Sequence, residues 1–229
     1  MPESTSDSSL DVPGLILVPA LITLGITLLR LAGELMHGPR VLFNSDPGGL
    51  WSMVGIIWLA PIFGVYFALK LAAHGEGPKS LGRAVLFILL GVAVVITFSL
   101  LGAFFHLQQH FPGGLLYLCT VVAMAALATR PGWAALFRAL VAYAYAARVP
   151  VAVVMLFAFW RDWGTHYDAV PADLPDNLSL LAKCWWLALF SQMIFWVGLT
   201  VLSGMLFGSL AAGIAHLARR RPQIGEKTL

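Results

Sequence analysis

Six long apolar runs joined by short polar connections restrict this chain more than any other feature does. They cover residues 14–36, 51–73, 84–106, 114–130, 134–160 and 180–217. An α-helix rises about 1.5 Å per residue, so about 20 residues cross the hydrocarbon core of a bilayer. The pattern predicts an all-α polytopic membrane protein, a bundle of six transmembrane helices. The fourth run is short, bounded by Pro112-Gly113-Gly114 and Arg130-Pro131-Gly132, residues that stop helices for backbone reasons. The sixth exceeds one perpendicular crossing, so it is expected to tilt or to project beyond the membrane.

Composition agrees. Only 11% of the residues are charged and 59% are hydrophobic, against about 25% charged in a soluble domain. The net charge of +3 is small, and its basic residues cluster at the ends of the runs, where they set topology. No nucleic acid is expected as a partner. Residues 1–13 are polar, lack Lys and Arg, and are expected to form a disordered cytoplasmic tail. Residues 14–218 form the six-helix domain, and 219–229 a basic cytoplasmic tail.

Six crossings place both termini on one side. That side collects Lys70, Lys79, Arg83, Arg130, Arg219, Arg220, Arg221 and Lys227, and the other has Arg40 and Arg161 with Lys183 nearby. The bias predicts cytoplasmic termini. Short loops and small size suggest a bacterial inner membrane.

Within the first run, Thr23, Thr27, Arg30, Glu34 and His37 fall at steps of 4, 3, 4 and 3, which stacks them on one helical face. A charge at membrane depth costs roughly 2.5–3.5 kcal/mol on insertion scales, so such groups face a bundle interior or a wet cavity. The topology brings Arg148 of the fifth run to a similar depth in the outer half, together with His106, His110 and the connection carrying His166. Tyr145 lies three residues before Arg148 and is expected on a similar face. The first and fifth helices are expected to face each other.

Three readings remain open at this level. Buried pairs among Arg30, Glu34 and Arg148 would fix helix register. Alternatively, Arg30 and Arg148 would receive a small anionic or amphiphilic ligand, a role suited to guanidinium because it binds oxyanions with a planar fork. Glu34 and His37 would then be proton-linked neighbours, Tyr145 would offer a hydroxyl, and transport becomes conceivable. In the third reading His106 and His110, at i and i+4, hold a metal or haem with His166, giving a redox or hydrolytic subunit. An accessory subunit of a larger membrane complex, or a homo-oligomer, is a further reading. No covalent-catalysis motif is present, so no catalytic residue is assigned and an enzyme is not favoured. No cofactor is named.

Cys119 and Cys184 form no metal motif; they read as small apolar residues, with a disulfide as the alternative. Gly204, Gly208 and Ala212 recur every four residues, a spacing that lets helices approach closely, more often within a fold than between protomers.

Overall fold

The computed structural model describes residues 12–47, 52–107, 110–172, 174–175 and 177–220. The expected tails fall almost wholly outside that range. Among the described residues there is no strand. The helices are α1 (Val12–Leu35), α2 (Leu59–Ala73, entered through a 3-10 turn at Ile56–Trp58), α3 (Leu81–Phe104), α4 (Gly113–Thr129) and α5 (Ala134–Arg161). The sixth crossing is composite: α6 (Leu180–Lys183), a π-helical stretch (Cys184–Trp196) and α7 (Val197–Arg220). Five of these crossings are long and apolar enough to span a membrane, and Gly113–Thr129 is a shorter apolar helix.

Three helices end in the same way, and the ends correct part of the sequence reading. At α1, Gly38 N donates to Gly33 O (2.8 Å) and His37 N to Glu34 O (3.0 Å). At α3, Leu107 N donates to Gly102 O (2.9 Å) and His106 N to Ala103 O (3.3 Å). At α2 the same pattern centres on Gly75. This paired bonding closes orphan carbonyls and needs a left-handed residue just past the helix. His37 (φ 54°) and His106 (φ 56°) supply it. Glycine usually takes this position, but histidine is among the side chains enriched in left-handed conformations.

The core forms where small residues permit close approach. α2 and α7 pack most extensively, and a Cβ on Gly64 would lie 2.5 Å from Gly204 Cα. A Cβ on Gly208 would lie 2.6 Å from Gly64 O. The four-residue glycine spacing therefore serves packing inside this fold. α5 lies against α1, α2, α7 and the π stretch, burying Leu136, Leu140, Tyr143, Ala144, Ala147 and Val151 along one stripe. α1 does face α5, and Thr23 Oγ1 and Tyr143 Oη share a hydrogen bond of 2.8 Å. Cys119 and Cys184 are both free thiols.

Gly64→Ala is expected to destabilise by about 1–3 kcal/mol, because the added methyl meets backbone that cannot yield. Gly213 has nothing within 4 Å of an added Cβ. Gly213→Ala is therefore expected to be neutral or stabilising by up to about 1 kcal/mol. Thermal unfolding of both variants in a neutral detergent checks the contrast.

Candidate functional site

One buried acid organises the end of the bundle where α1 and α5 terminate. Arg30 and Glu34 stand one turn apart, and Arg30 Nε donates to Glu34 Oε1 at 2.8 Å. Arg30 Nη2 also donates to the Asn44 carbonyl at 2.8 Å, holding the connection after α1 against the helix. The second carboxylate oxygen of Glu34 accepts the backbone N–H of His166 at 2.8 Å. His166 Nδ1 lies 2.6 Å from Oε1, a close contact short of hydrogen-bond alignment. Glu34 thus joins α1 to the connection between α5 and α6, which are far apart in sequence.

That connection is folded over the bundle rather than trailing into solvent. Asp162 (φ 52°) and Gly164 (φ 67°) turn the chain back at the end of α5. Asp168 then fixes the turn by accepting from Gly164 N (2.8 Å), Thr165 N (2.7 Å) and Thr165 Oγ1 (2.7 Å). Tyr167 is driven inward; its hydroxyl donates to Thr27 O at 3.1 Å, and burial pushes its pKa up from the ordinary phenol value. Burial likewise lowers the His166 pKa, opposed by its contact with Glu34 and reinforced by Arg30.

Beneath this lid is a cavity of about 340 Å³. Its walls come from α1 (Thr27, Arg30), the 3-10 turn (Ile56, Ile57), the start of α4 (Gly114, Leu115, Leu118), α5 (Arg148, Val151, Met155), the lid (His166, Tyr167, Pro171, Leu174) and the π stretch (Leu187, Ser191, Gln192, Phe195, Trp196). The π stretch matters here. Its i→i+5 bonding stacks residues four to five apart. Leu187, the pair Ser191 and Gln192, and the pair Phe195 and Trp196 therefore present one continuous wall.

Arg148 is the exception in this lining. It is 6% exposed, yet no ion pair to a carboxylate forms at it among the described residues. Its Nη1 reaches Gln192 Oε1 only at 3.5 Å, its guanidinium sits 4.9 Å from the Trp196 ring centroid, and its Nε has no hydrogen-bond partner. Glu34 is already balanced by Arg30, and burial keeps His166 neutral near pH 7. The cavity therefore carries one uncompensated positive charge, on Arg148.

The expected site residues separate clearly. Arg30 and Arg148 both line the cavity, and Glu34 lies behind Arg30 as its counter-ion. His37 is an exposed helix terminator outside the cavity. Tyr145 is 44% exposed. Arg148 lies at one edge of the buried stripe of α5, and Tyr145 is roughly 60° further out at 100° per residue. Tyr143, on the opposite edge, is the buried tyrosine. The proposed metal trio does not assemble. α3 ends at Phe104, so His106 and His110 share no helical face; His110 lies at the cavity, and His166 is committed to Glu34. Among the described residues no group of three or more His, Cys, Asp or Glu could hold a metal ion.

Gln192 and Trp196 were not singled out from sequence. Gln192 had a usable signal as the one amide in the apolar run CWWLALFSQMIFW. The chain matches no known protein family, no curated protein and no solved structure.

Two outcomes follow from this geometry. A buried cation without a carboxylate is costly, and apolar replacements of buried charges are often stabilising. Arg148→Met is therefore expected to raise the stability of the empty protein by about 1–3 kcal/mol, read as the unfolding midpoint in neutral detergent. The second outcome concerns pH. Because the folded-state pKa of His166 lies below its ordinary 6.5, the unfolded chain binds the proton first as pH falls. This residue's contribution is complete above about pH 6.5 and is lost as pH drops below it. His166→Gln should flatten that part of the stability–pH profile.

Proposed function

We propose that this chain is a multi-pass membrane protein that binds an anionic ligand with an apolar body. The anion sits against Arg148 and the apolar body fills the cavity beneath the lid. The observation that carries this reading is Arg148, a cavity-lining guanidinium whose buried Nε has no hydrogen-bond partner among the described residues. A desolvated guanidinium retains its charge and presents a fork of donors matched to carboxylate or phosphate oxygens. Most of the remaining lining is apolar, supplied by Ile56, Leu115, Val151, Met155 and Leu187. Ligand pockets commonly combine such a lining with a few placed polar groups, in volumes of about 300–1,000 Å³.

Arg30 has a different part in this reading from the one its sequence position suggested. Its charge is balanced by Glu34, and its fork is spent on Glu34 and Asn44. It shapes the wall and holds the lid, while Arg148 receives the anion. The excess of Lys and Arg on the side of the termini favours a cytoplasmic location for both, which puts the cavity near the opposite face of the membrane. A bacterial inner membrane suits the short connections. Binding is the proposal, and translocation would be a later consequence of lid movement.

The test uses a matched pair of soluble probes. Hexanoate and hexanamide differ in charge and little in shape. Hexanoate is expected to raise the unfolding midpoint of the wild-type protein in neutral detergent, while hexanamide does not. Saturation at 100 times Kd stabilises by about 2.7 kcal/mol. Arg148→Gln should abolish the difference between the probes. Equal shifts from both probes, or a hexanoate shift that survives in Arg148→Gln, would remove the anion site.

A further inference from the structure

We infer that the natural occupant is an anionic membrane lipid. Its headgroup sits against Arg148, and its chains leave for the bilayer through a seam between the start of α2 and the N-terminal half of α4. This rests on the reading of Arg148 as an anion site and specifies where the anion comes from.

The seam follows from how the helices pack. α4 packs on α3, α7 and the π stretch, but makes no substantial contact with α1 or α2. At the far end of the bundle α7 fills the space between α2 and α4. There Gly64 meets Gly204, and a Cβ on Gly198 would stand 2.7 Å from Val122 Cγ1. Toward the lid, the chain that should continue that filling is the π stretch, which packs on α5 and α4 instead. Among the described residues, no helix other than α1 and α2 packs substantially on the 3-10 turn. The described cavity lining takes Ile57 from the 3-10 turn and His110, Phe111, Leu115 and Leu118 from the start of α4 and the residues before it, and none from α3. Of these lining residues Ile57, Phe111, Leu115 and Leu118 are apolar and His110 is polar.

The opposite exit is covered. Thr165 and Tyr167 of the lid are 2% and 3% exposed, and the lid is held by Glu34, Asp168 and Thr27. A water-soluble anion would have to displace that folded connection. A lipid meets a mostly apolar gap at bilayer depth.

Size and charge choose the occupant. A volume of about 340 Å³ is at the low end for ligand pockets. It accommodates a headgroup and the first part of a chain, so the rest of a two-chain lipid lies outside, which the seam allows. The uncompensated Arg148 charge selects an acidic headgroup over a zwitterionic one, because a paired buried cation costs less than an unpaired one.

Native mass spectrometry of the full chain in neutral detergent tests this with three probes. These are dioleoylphosphatidylglycerol, dioleoylphosphatidylcholine and free glycerol phosphate. Phosphatidylglycerol is expected to bind at least tenfold more tightly than either of the others, and Arg148→Gln should remove that preference. Leu118→Trp, which narrows the seam, is expected to weaken phosphatidylglycerol binding at least tenfold. Unchanged lipid binding in Leu118→Trp would overturn the seam and leave the anion site standing. Free glycerol phosphate binding as tightly as the lipid would overturn the lipid source. Loss of lipid and hexanoate together, in a protein with an unchanged unfolding midpoint, would put Leu118 in the headgroup site and overturn the exit. Absence of a hexanoate shift in the wild type would remove the anion site itself, and the lipid with it.

Discussion

Glu34 is the one carboxylate buried among the described residues, and the site end of the protein is arranged around how its charge is spent. One oxygen takes Arg30 and the other takes the backbone of His166. The first bond neutralises a cation that α1 would otherwise carry into the bundle alone. The second draws the long connection after α5 down onto the helices and creates a lid. With Glu34 consumed, no carboxylate among the described residues remains to balance Arg148. Its uncompensated charge, like the lid, depends on where Glu34 is placed.

The cavity itself comes from a change in helix geometry along the sixth crossing. From Val197 onward this crossing is α-helical and dense with small residues, and α2 approaches until Gly64 and Gly204 leave no room for a side chain. Before Val197 the same crossing is π-helical and carries large side chains, among them Trp186, Phe190, Phe195 and Trp196. Wider coiling and bulkier residues keep this half from following α7 into the core. Close packing at one end and separation at the other leave a wedge, and Arg148 stands inside it. Single-turn π-bulges inside α-helices are frequently found at functional sites.

The sequence made the crossings legible because runs of about 20 apolar residues have few alternatives. Ends were less so: the third helix begins at Leu81, behind a Ser80 cap that accepts from Arg83 N, rather than at 84. The charged stripe on α1 was readable from its spacing alone, and Arg148 from its depth. Its consequences were not. Spacing shows that Arg30 and Glu34 share a face, but not that Glu34 also binds the backbone of residue 166. The histidines misled for a related reason. A side chain with well-known ligand or proton chemistry invites a site, yet His37 and His106 are where they are because two helices needed left-handed residues to stop. A glycine following at position 38 was the available hint. The π stretch left no trace in a pattern that counts only apolar positions.

A buried cation with no carboxylate beside it among the described residues needs explaining on energetic grounds. Methionine at position 148 would fill similar space beside Val151 and Met155 and would carry no desolvation cost. Stability therefore gives no reason for arginine there. A register device gives little more, since Gln192 at 3.5 Å and the Trp196 face are weak partners for a guanidinium. Those two groups do have the properties of placeholders. Each steadies the charge without saturating it, so an incoming anion pairs with the guanidinium without breaking a strong bond. A carboxylate at position 192 would have satisfied Arg148 and closed the site to any other anion. The amide side chain of Gln192 leaves the charge available.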